Sequence, residues 1–427
     1  MYDVFSLPDT IFPEGFIWGT ATAGHQIEGD NIHSANWADE QKPEFYTDKF
    51  RAPSGRACNH WELYREDTAL LKALGHKTYR MSLEWSRIEP VEGEFNKEAV
   101  DHYVRELALL KEYGITVFLT LIHFTTPAWF IKKGGFQDIE NIRYFERYAE
   151  YIVPIVAPYV DSWNILNEFN LGFGKERYEW KKNSLKFHAR GYHIVKKYSD
   201  KPVSSAHAMV QYTPKRHHDP FDRNLAEYHD WAANGFFLHA IRTGEIVLPF
   251  TEAEVCPEVR DSLDYWAINM YTRTIIDARC ENGFGTRYEH KQLKMIDMPF
   301  YLEEMYPENM IAQLTRLYDK PIYITENGCS CNDDRFRIVY LALYLNSIRE
   351  AMRMGADVRG YLYWSFMDNY EWNSFYPRFG LVDCDFETFK RTPKPSAYFY
   401  KEIMENNGFT QEILRKYLKE LPTLAKI

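Results

Sequence analysis

Two glutamates stand at the ends of short apolar runs, where a carboxylate could act on a substrate. Glu168 closely follows residues 160–166, and Glu326 directly follows residues 321–325. Hydrolysis of a glycosidic bond needs such a pair, because one carboxylate attacks the anomeric carbon while the other protonates the leaving oxygen. A surface position or an arginine partner is the alternative for each glutamate taken alone. The pair predicts a glycosidase site if the fold brings both run ends together.

Other apolar runs also end in polar or aromatic residues. If the runs are parallel strands of a barrel, their carboxyl ends meet at one face, where barrel enzymes hold their active sites. One such residue alone is usually loop surface, whereas six strand ends of this kind favour a shared site. The candidates besides the two glutamates are Gln26, Glu28, Arg80, His123, Asn167, Asn269, Tyr271, Trp364, Asp368, Glu371 and Trp372.

Eight short apolar runs alternate with longer amphipathic segments. The runs are residues 16–19, 78–83, 115–122, 160–166, 202–206, 265–269, 321–325 and 360–366. Several are apolar almost throughout, as strands buried on both faces should be. Helices are predicted over 62–74, 99–113 and 337–354, because apolar residues recur there at helical spacing and a glycine follows each segment.

Eight strand–helix units predict an α/β fold, a (β/α)₈ TIM barrel in a single domain. The catalytic domain is expected to span residues 1–427, with 410–427 as a C-terminal helical extension packed on the outside of the barrel. An open, doubly wound sheet is the rival architecture. The chain lacks the glycine-rich phosphate loop of its nucleotide-binding version.

The composition limits the partners and the compartment. Hydrophobic residues make up 45% of the chain and aromatic residues 16%, which suits either a large core or the apolar faces of sugars. The net charge of −10 disfavours a nucleic-acid partner. No stretch is long enough to span a bilayer, so no membrane partner is expected. The first 14 residues do not resemble a signal peptide, and the six cysteines are scattered, which predicts a cytoplasmic protein.

Five segments resemble, in order, the motifs of glycoside hydrolase family 1, the family of β-glucosidases and β-galactosidases. They are FIWGTATAGHQIEG at 16–29, YRMSLEWSRI at 79–88, YITENG at 323–328, WSFMDNYEW at 364–372 and RFGLV at 378–382. Asn167 and Glu168 also stand where the family places its acid/base. The resemblance covers nearly the whole chain. It implies a retaining β-glycosidase that works through a covalent glycosyl-enzyme.

The resemblance also implies roles for individual residues. Glu326 would be the nucleophile and Glu168 the acid/base, and Trp364 would stack under the sugar ring. The implied substrate-binding residues are Gln26, His123, Asn167, Tyr271, Trp364, Glu371 and Trp372, and the implied supporting residues are Arg80, Asn269 and Phe379. No metal or organic cofactor is implied.

The expected activity is exo-acting hydrolysis of unphosphorylated β-D-glucosides, β-D-fucosides and β-D-galactosides. The partner would be a small β-glycoside or disaccharide, and a homo-oligomeric form stays open. A phospho-β-glycosidase is one alternative, but residues 373–377 offer Ser374 and no Lys or Arg. A catalytically silent, glycan-binding barrel is another, although such relatives typically lose a catalytic carboxylate.

The chain departs from the family at several positions. Phe124 follows His123 where the family usually has Trp, and Asn170 and Glu303 stand where a Trp often lines the leaving-group side. Neither of the latter two offers a flat apolar face. Weak discrimination on the leaving-group side is therefore expected, unless Trp129 or Trp180 takes that place.

Overall fold

Eight parallel strands close into one barrel. The computed structural model describes residues 3–47, 49–285 and 305–422. The barrel strands are β1 (Ile17–Ala21), β2 (Thr78–Ser82), β3 (Thr116–Ile122), β4 (Ser162–Asn167), β5 (Val203–Ala208), β6 (Trp266–Asn269), β7 (Ile322–Asn327) and β8 (Val358–Trp364). Each strand pairs with the next along the chain, and β8 pairs with β1 to close the barrel. The predicted TIM barrel is confirmed, and every strand overlaps one of the eight predicted runs.

Helices follow the strands along the chain. They are α1 (Gly24–Ile27), α2 (Ala35–Glu40), α3 (His60–Ala73), α4 (Trp85–Ile88), α5 (Lys97–Glu112), α6 (Ala128–Lys132), α7 (Ile142–Val156), α8 (Lys175–Tyr198), α9 (Pro220–Asp230), α10 (Phe236–Thr243), α11 (Glu308–Leu314), α12 (Asp334–Arg353), α13 (Pro395–Asn406) and α14 (Gln411–Tyr417). The three helices predicted from spacing are α3, α5 and α12, and each begins two or three residues earlier than predicted. Capping explains one of these starts, because the Asn96 side chain accepts hydrogen bonds from the first backbone N–H groups of α5.

The interior of the barrel is filled by side chains. Phe118, Ala206, Ala267 and Leu362, from four different strands, pack together with Tyr265. Such a filled interior is a packed core and no pore. A ligand can therefore enter the barrel only from an end.

The last helix is shorter than the predicted extension. Helix α14 ends at Tyr417, because Leu418 has extended backbone and Pro422 soon follows. Leu414 and Leu418 are buried, and the Tyr417 ring lies 5.7 Å from Phe399 of α13. Residues 423–427 lie outside the described residues. That residues 1–427 form one catalytic domain with 410–427 as its extension stays a prediction.

Two short strands that the sequence analysis missed lie outside the barrel. Gln211–Pro214 follows β5, Arg273–Ile276 follows β6, and the two pair in parallel. Each has only four residues, which is too short for a periodic pattern. The pair adds to the wall of the cavity described next.

Candidate active site

A cavity of about 560 Å³ opens at the carboxyl end of the barrel strands. Ten of the twelve residues to which the family resemblance assigns a role line it: His123, Asn167, Glu168, Asn269, Tyr271, Glu326, Trp364, Glu371, Trp372 and Phe379. The other two, Gln26 and Arg80, are fully buried and do not line the wall. The fold therefore brings both glutamates to one cavity, as the strand-end argument required.

Glu326 lies near the end of β7 and contacts two donors. The Arg80 guanidinium from β2 donates to its Oε1, and the Tyr271 hydroxyl donates to its Oε2 at 2.7 Å. Burial raises the pKa of Tyr271 well above its usual value, so the phenol stays a donor. Two donors, one of them a permanent cation, favour the anionic form of Glu326.

Glu168 directly follows β4 and has a different environment. Its Oε1 accepts a hydrogen bond from the Asn269 side chain at 2.9 Å. Among the ion pairs of the described residues, none involves Glu168, whereas Glu326 pairs with Arg80. Glu168 is therefore the less stabilised anion of the two.

The pKa values reflect these environments. Burial, followed by the negative charge of Glu326, raises the pKa of Glu168 to about 8. Burial also raises the pKa of Glu326, but Arg80 and Tyr271 oppose that rise. The two carboxyls form a coupled pair in which Glu326 ionises first and Glu168 keeps its proton near neutral pH.

The orientation of Asn167 fixes the tautomer of His123. Arg80 has only donors, and its Nη2 lies 2.6 Å from Asn167 Oδ1, so this atom must be the amide oxygen. Asn167 Nδ2 then donates to His123 Nε2 at 3.1 Å. Burial lowers the pKa of His123 well below its usual value, so the ring is neutral and its proton lies on Nδ1. That Nδ1 has no hydrogen-bond partner among the described residues and can serve a substrate hydroxyl.

Two tryptophans and a carboxylate also line the cavity. The rings of Trp364 and Trp372 are nearly parallel to His123, with centroids 5.8 and 6.1 Å from it. Glu371 accepts a hydrogen bond from Trp364 Nε1 at 2.9 Å. Flat apolar rings beside a carboxylate suit the C–H face and the hydroxyls of a sugar.

Gln26 lies behind the cavity wall, on helix α1. Its Nε2 donates to Asn369 Oδ1 at 2.9 Å, while its Oε1 is buried and has no donor in the part of the chain that the structure describes. A buried acceptor without a donor is costly. Gln26 thus retains one acceptor for a ligand hydroxyl or a water, although it does not line the cavity wall.

Several cavity residues have left-handed backbone. Phe124, Glu168, Trp372 and Asn373 all have positive φ, between 37° and 86°. For residues with a Cβ this conformation is unfavourable, and such residues cluster at functional sites. The local backbone therefore supports a functional role for this cavity.

Some lining residues gave no signal in the sequence. The outer wall contains Leu171, Met209 and Val210 together with Thr272 and Thr274. They belong to loops and to the short strand pair, and none is a polar residue at a predicted strand end. Only their position after β4, β5 and β6 could have indicated them.

The structure shows the surroundings of some of the residues named for the leaving-group side. The Asn170 side chain is buried and bonds to backbone groups of Ala208 and Ala233, so it is structural. Trp129 donates to the Glu89 carbonyl, and Trp180 lies under the Arg177 guanidinium, so neither lines the cavity. Glu303 lies outside the described residues.

Neither a metal-binding cluster nor a membrane-spanning helix is found in the described part of the chain. Its His, Cys, Asp and Glu side chains form no group of three or more that could hold a metal ion. Its helices include none with the length and apolar character needed to cross a membrane.

Known proteins resemble this chain in sequence over most of its length. A family model described as glycosyl hydrolase family 1 matches residues 9–409. A beta-glucosidase A of Acetivibrio thermocellus is 30% identical over 93% of this chain and 99% of its own length. A 6-phospho-beta-galactosidase of Leptotrichia buccalis is 29% identical over 92% of this chain and 98% of its own.

The solved structures agree with the sequence comparison. The beta-glycosidase from Pyrococcus horikoshii superposes with a TM-score of 0.84 and 35% identity, covering 96% of this chain and 98% of that one. Because nearly all of both chains is covered, the similarity includes the barrel strands and helices and most of the loops between them.

Proposed function

The chain belongs to glycosyl hydrolase family 1, and on that basis we propose that it is a retaining exo-β-glycosidase. Its substrates are unphosphorylated β-D-glucosides, β-D-fucosides and β-D-galactosides, as small glycosides or disaccharides. One observation carries the proposal: two buried carboxyls share a cavity, and only one of them is held by an arginine.

The unequal environments assign the two steps. Glu326, anionic beside Arg80 and Tyr271, attacks the anomeric carbon, while Glu168 enters protonated and donates its proton to the leaving oxygen. Once Glu326 is glycosylated its charge is gone, so the pKa of Glu168 falls. Glu168 then accepts a proton from the water that hydrolyses the glycosyl-enzyme.

The closed barrel supports exo action. Side chains fill the barrel interior, so a glycan cannot thread through the site. One terminal sugar can occupy the inner end, beside Trp364 and Glu371, while the leaving group points to the outer wall.

The phospho-β-glycosidase stays an alternative because of the Leptotrichia buccalis relative. The lining of the cavity argues against it. No Lys or Arg of the described residues lines the wall, and the buried Ser374 hydroxyl accepts from the Tyr376 backbone N–H. A phosphate dianion there would lack the cation that such groups usually bind.

A panel of 4-nitrophenyl β-glycosides tests the proposal. Fucose lacks the 6-hydroxyl, but a water can take its place beside Glu371 at modest cost. We therefore expect kcat/KM for the glucoside, fucoside and galactoside to lie within about a hundredfold, or about 2.7 kcal/mol. The 6-phosphogalactoside should be much slower. A preference for the 6-phosphogalactoside would favour the phospho-β-glycosidase. If none of the glycosides were hydrolysed, the catalytically silent barrel would be favoured.

A further inference from the structure

The side chain of Asn269 connects both strand ends that carry the candidate carboxylates. Its Nδ2 donates to Glu168 Oε1 at 2.9 Å and to Asn167 Oδ1 at 3.0 Å. Its Oδ1 accepts from the Thr325 hydroxyl at 2.7 Å. Each of these three hydrogen bonds therefore depends on which end of the amide faces Glu168.

The pairing of β6 with β7 puts Thr325 within reach of that amide. In a regular strand, adjacent residues such as Thr325 and Glu326 point to opposite faces. Here the register shifts between Ile268 and Asn269, and Asn269 stands opposite Glu326. Thr325 is fully buried, so solvent cannot replace Asn269 as the hydrogen-bond partner of its hydroxyl.

We propose that Thr325 is a positioning residue for the acid/base: its hydroxyl holds the Asn269 amide with Nδ2 toward Glu168. The proposal rests on the proposed function, because it takes Glu168 as the acid/base. A threonine hydroxyl can donate to Oδ1, whereas a valine of the same shape cannot. Asn167 also favours this orientation, so Thr325 is the second of two constraints on the amide.

The loss of this constraint has a chemical consequence. The hydrogen bond from Asn269 stabilises the Glu168 anion and lowers the pKa of Glu168 against the effect of burial. Without the Thr325 hydroxyl, Asn269 Oδ1 is left unsatisfied in a buried site and one of the two constraints on the amide is gone, so its hydrogen bond to Glu168 is weakened. The pKa of Glu168 then rises further.

The pH dependence of Thr325→Val tests the inference. With an alkyl glucoside, which needs protonation of its leaving group, the basic limb of kcat/KM should move up by about one pH unit. Thr325→Ser, which keeps the hydroxyl, should stay close to the wild-type profile. Thr20→Val is the matched control, since it too removes a buried barrel hydroxyl, but one that donates to the Tyr363 backbone carbonyl and not to Asn269.

A double-mutant cycle separates positioning from general damage. Asn269→Ala should move the basic limb in the same direction, and Thr325→Val combined with it should add nothing. Additive shifts, an unchanged profile in Thr325→Val, or an equal shift in Thr20→Val would overturn the inference. Thermal unfolding checks the fold of each variant, and Thr325→Ala replaces Thr325→Val if the latter does not fold. An inactive wild type would instead refute the proposed function itself.

Discussion

At the residue scale, the neighbours of the two glutamates decide their roles. Arg80 and Tyr271 both donate to Glu326, whereas Glu168 receives one neutral amide. Charge-assisted hydrogen bonds are about twice as strong as neutral ones. The same residue type can therefore supply an anion and an acid within one cavity.

Removal of the acid should harm substrates unequally. In Glu168→Ala, 2,4-dinitrophenyl glycosides need little protonation, so their glycosylation step should survive while alkyl glycosides lose most of theirs. Deglycosylation should become slow, and added azide should speed turnover by attacking without a base. Steady-state rates with and without azide measure this. Equal losses for both substrates and no azide effect would refute the acid/base role.

Buried Glu168 should also lower stability at neutral and higher pH. Its pKa rises from about 4.5 in the unfolded chain to about 8, so the folded state binds more protons between these values and its stability falls as the pH rises. Glu168→Gln should therefore raise the melting temperature at pH 8 by roughly 1–3 °C and leave it unchanged at pH 4. Exposed Glu281→Gln is the control in the same scans. A gain of equal size at both pH values would contradict the argument.

Polar residues that stand at the end of an apolar run could be predicted from the sequence. Glu168, Glu326 and His123 follow this rule and line the cavity. Leu171 and Met209 were missed, because an apolar residue in a loop looks the same whether it lines a cavity or packs in the core. Their assignment needs the fold.

At the element scale, the segment after β8 carries Trp364, Glu371 and Trp372. Asp368, in its middle, is fully buried, and both of its oxygens lie 2.8 Å from Lys394 Nζ. The backbone directly after β7 also approaches this segment closely, since a Cβ at Gly328 would lie 1.8 Å from the Trp364 carbonyl oxygen. The ion pair and the glycine together position the side chains of this segment that line the cavity.

Loss of Lys394 should destabilise this segment. Lys394→Met leaves Asp368 as a buried charge whose remaining ion-pair partner among the described residues is Arg378, at 3.6 Å. Breaking a buried pair on one side costs about 3–5 kcal/mol, and Arg378 should keep the loss near the lower end. Denaturant unfolding measures it, with Lys97→Met in the exposed pair with Asp101 as control. Equal midpoints for both variants would show that the buried pair contributes no more than a surface one.

The elements differed in how well the sequence predicted them. Barrel strands buried on both faces give apolar runs, so all eight were found, with ends displaced by a few residues. The short strands Gln211–Pro214 and Arg273–Ile276 gave no such pattern, because their pairing depends on the barrel loops that bring them together. The extent of α14 was overestimated, since Leu418 continues the apolar spacing after the helix has ended.

At the scale of the whole molecule, the cavity shape sets the preference for leaving groups. Its outer wall has Leu171, Met209 and Val210 and, among the described residues, no tryptophan beyond Trp364 and Trp372. Each absent stacking platform forfeits on the order of 1 kcal/mol for a second or third sugar. We therefore expect a preference for aryl or short alkyl glycosides and disaccharides.

Longer substrates should therefore gain nothing. We expect kcat/KM to stay level from cellobiose through cellotriose to cellotetraose, measured by glucose release under matched conditions. Leu171→Trp, which adds an indole to the outer wall, is a matched variant that should create a gain with length. A steady rise in the wild-type enzyme would show that a stacking platform exists on the leaving-group side.

The central claim is that Glu326 forms a covalent glycosyl-enzyme and that Glu168 serves first as acid and then as base. Two successive displacements at the anomeric carbon restore its configuration. Proton NMR of the first sugar released from a β-glucoside, recorded before mutarotation, tests this directly. We predict β-glucose as the first product, and no product from Glu326→Gln. Release of α-glucose first would contradict the account.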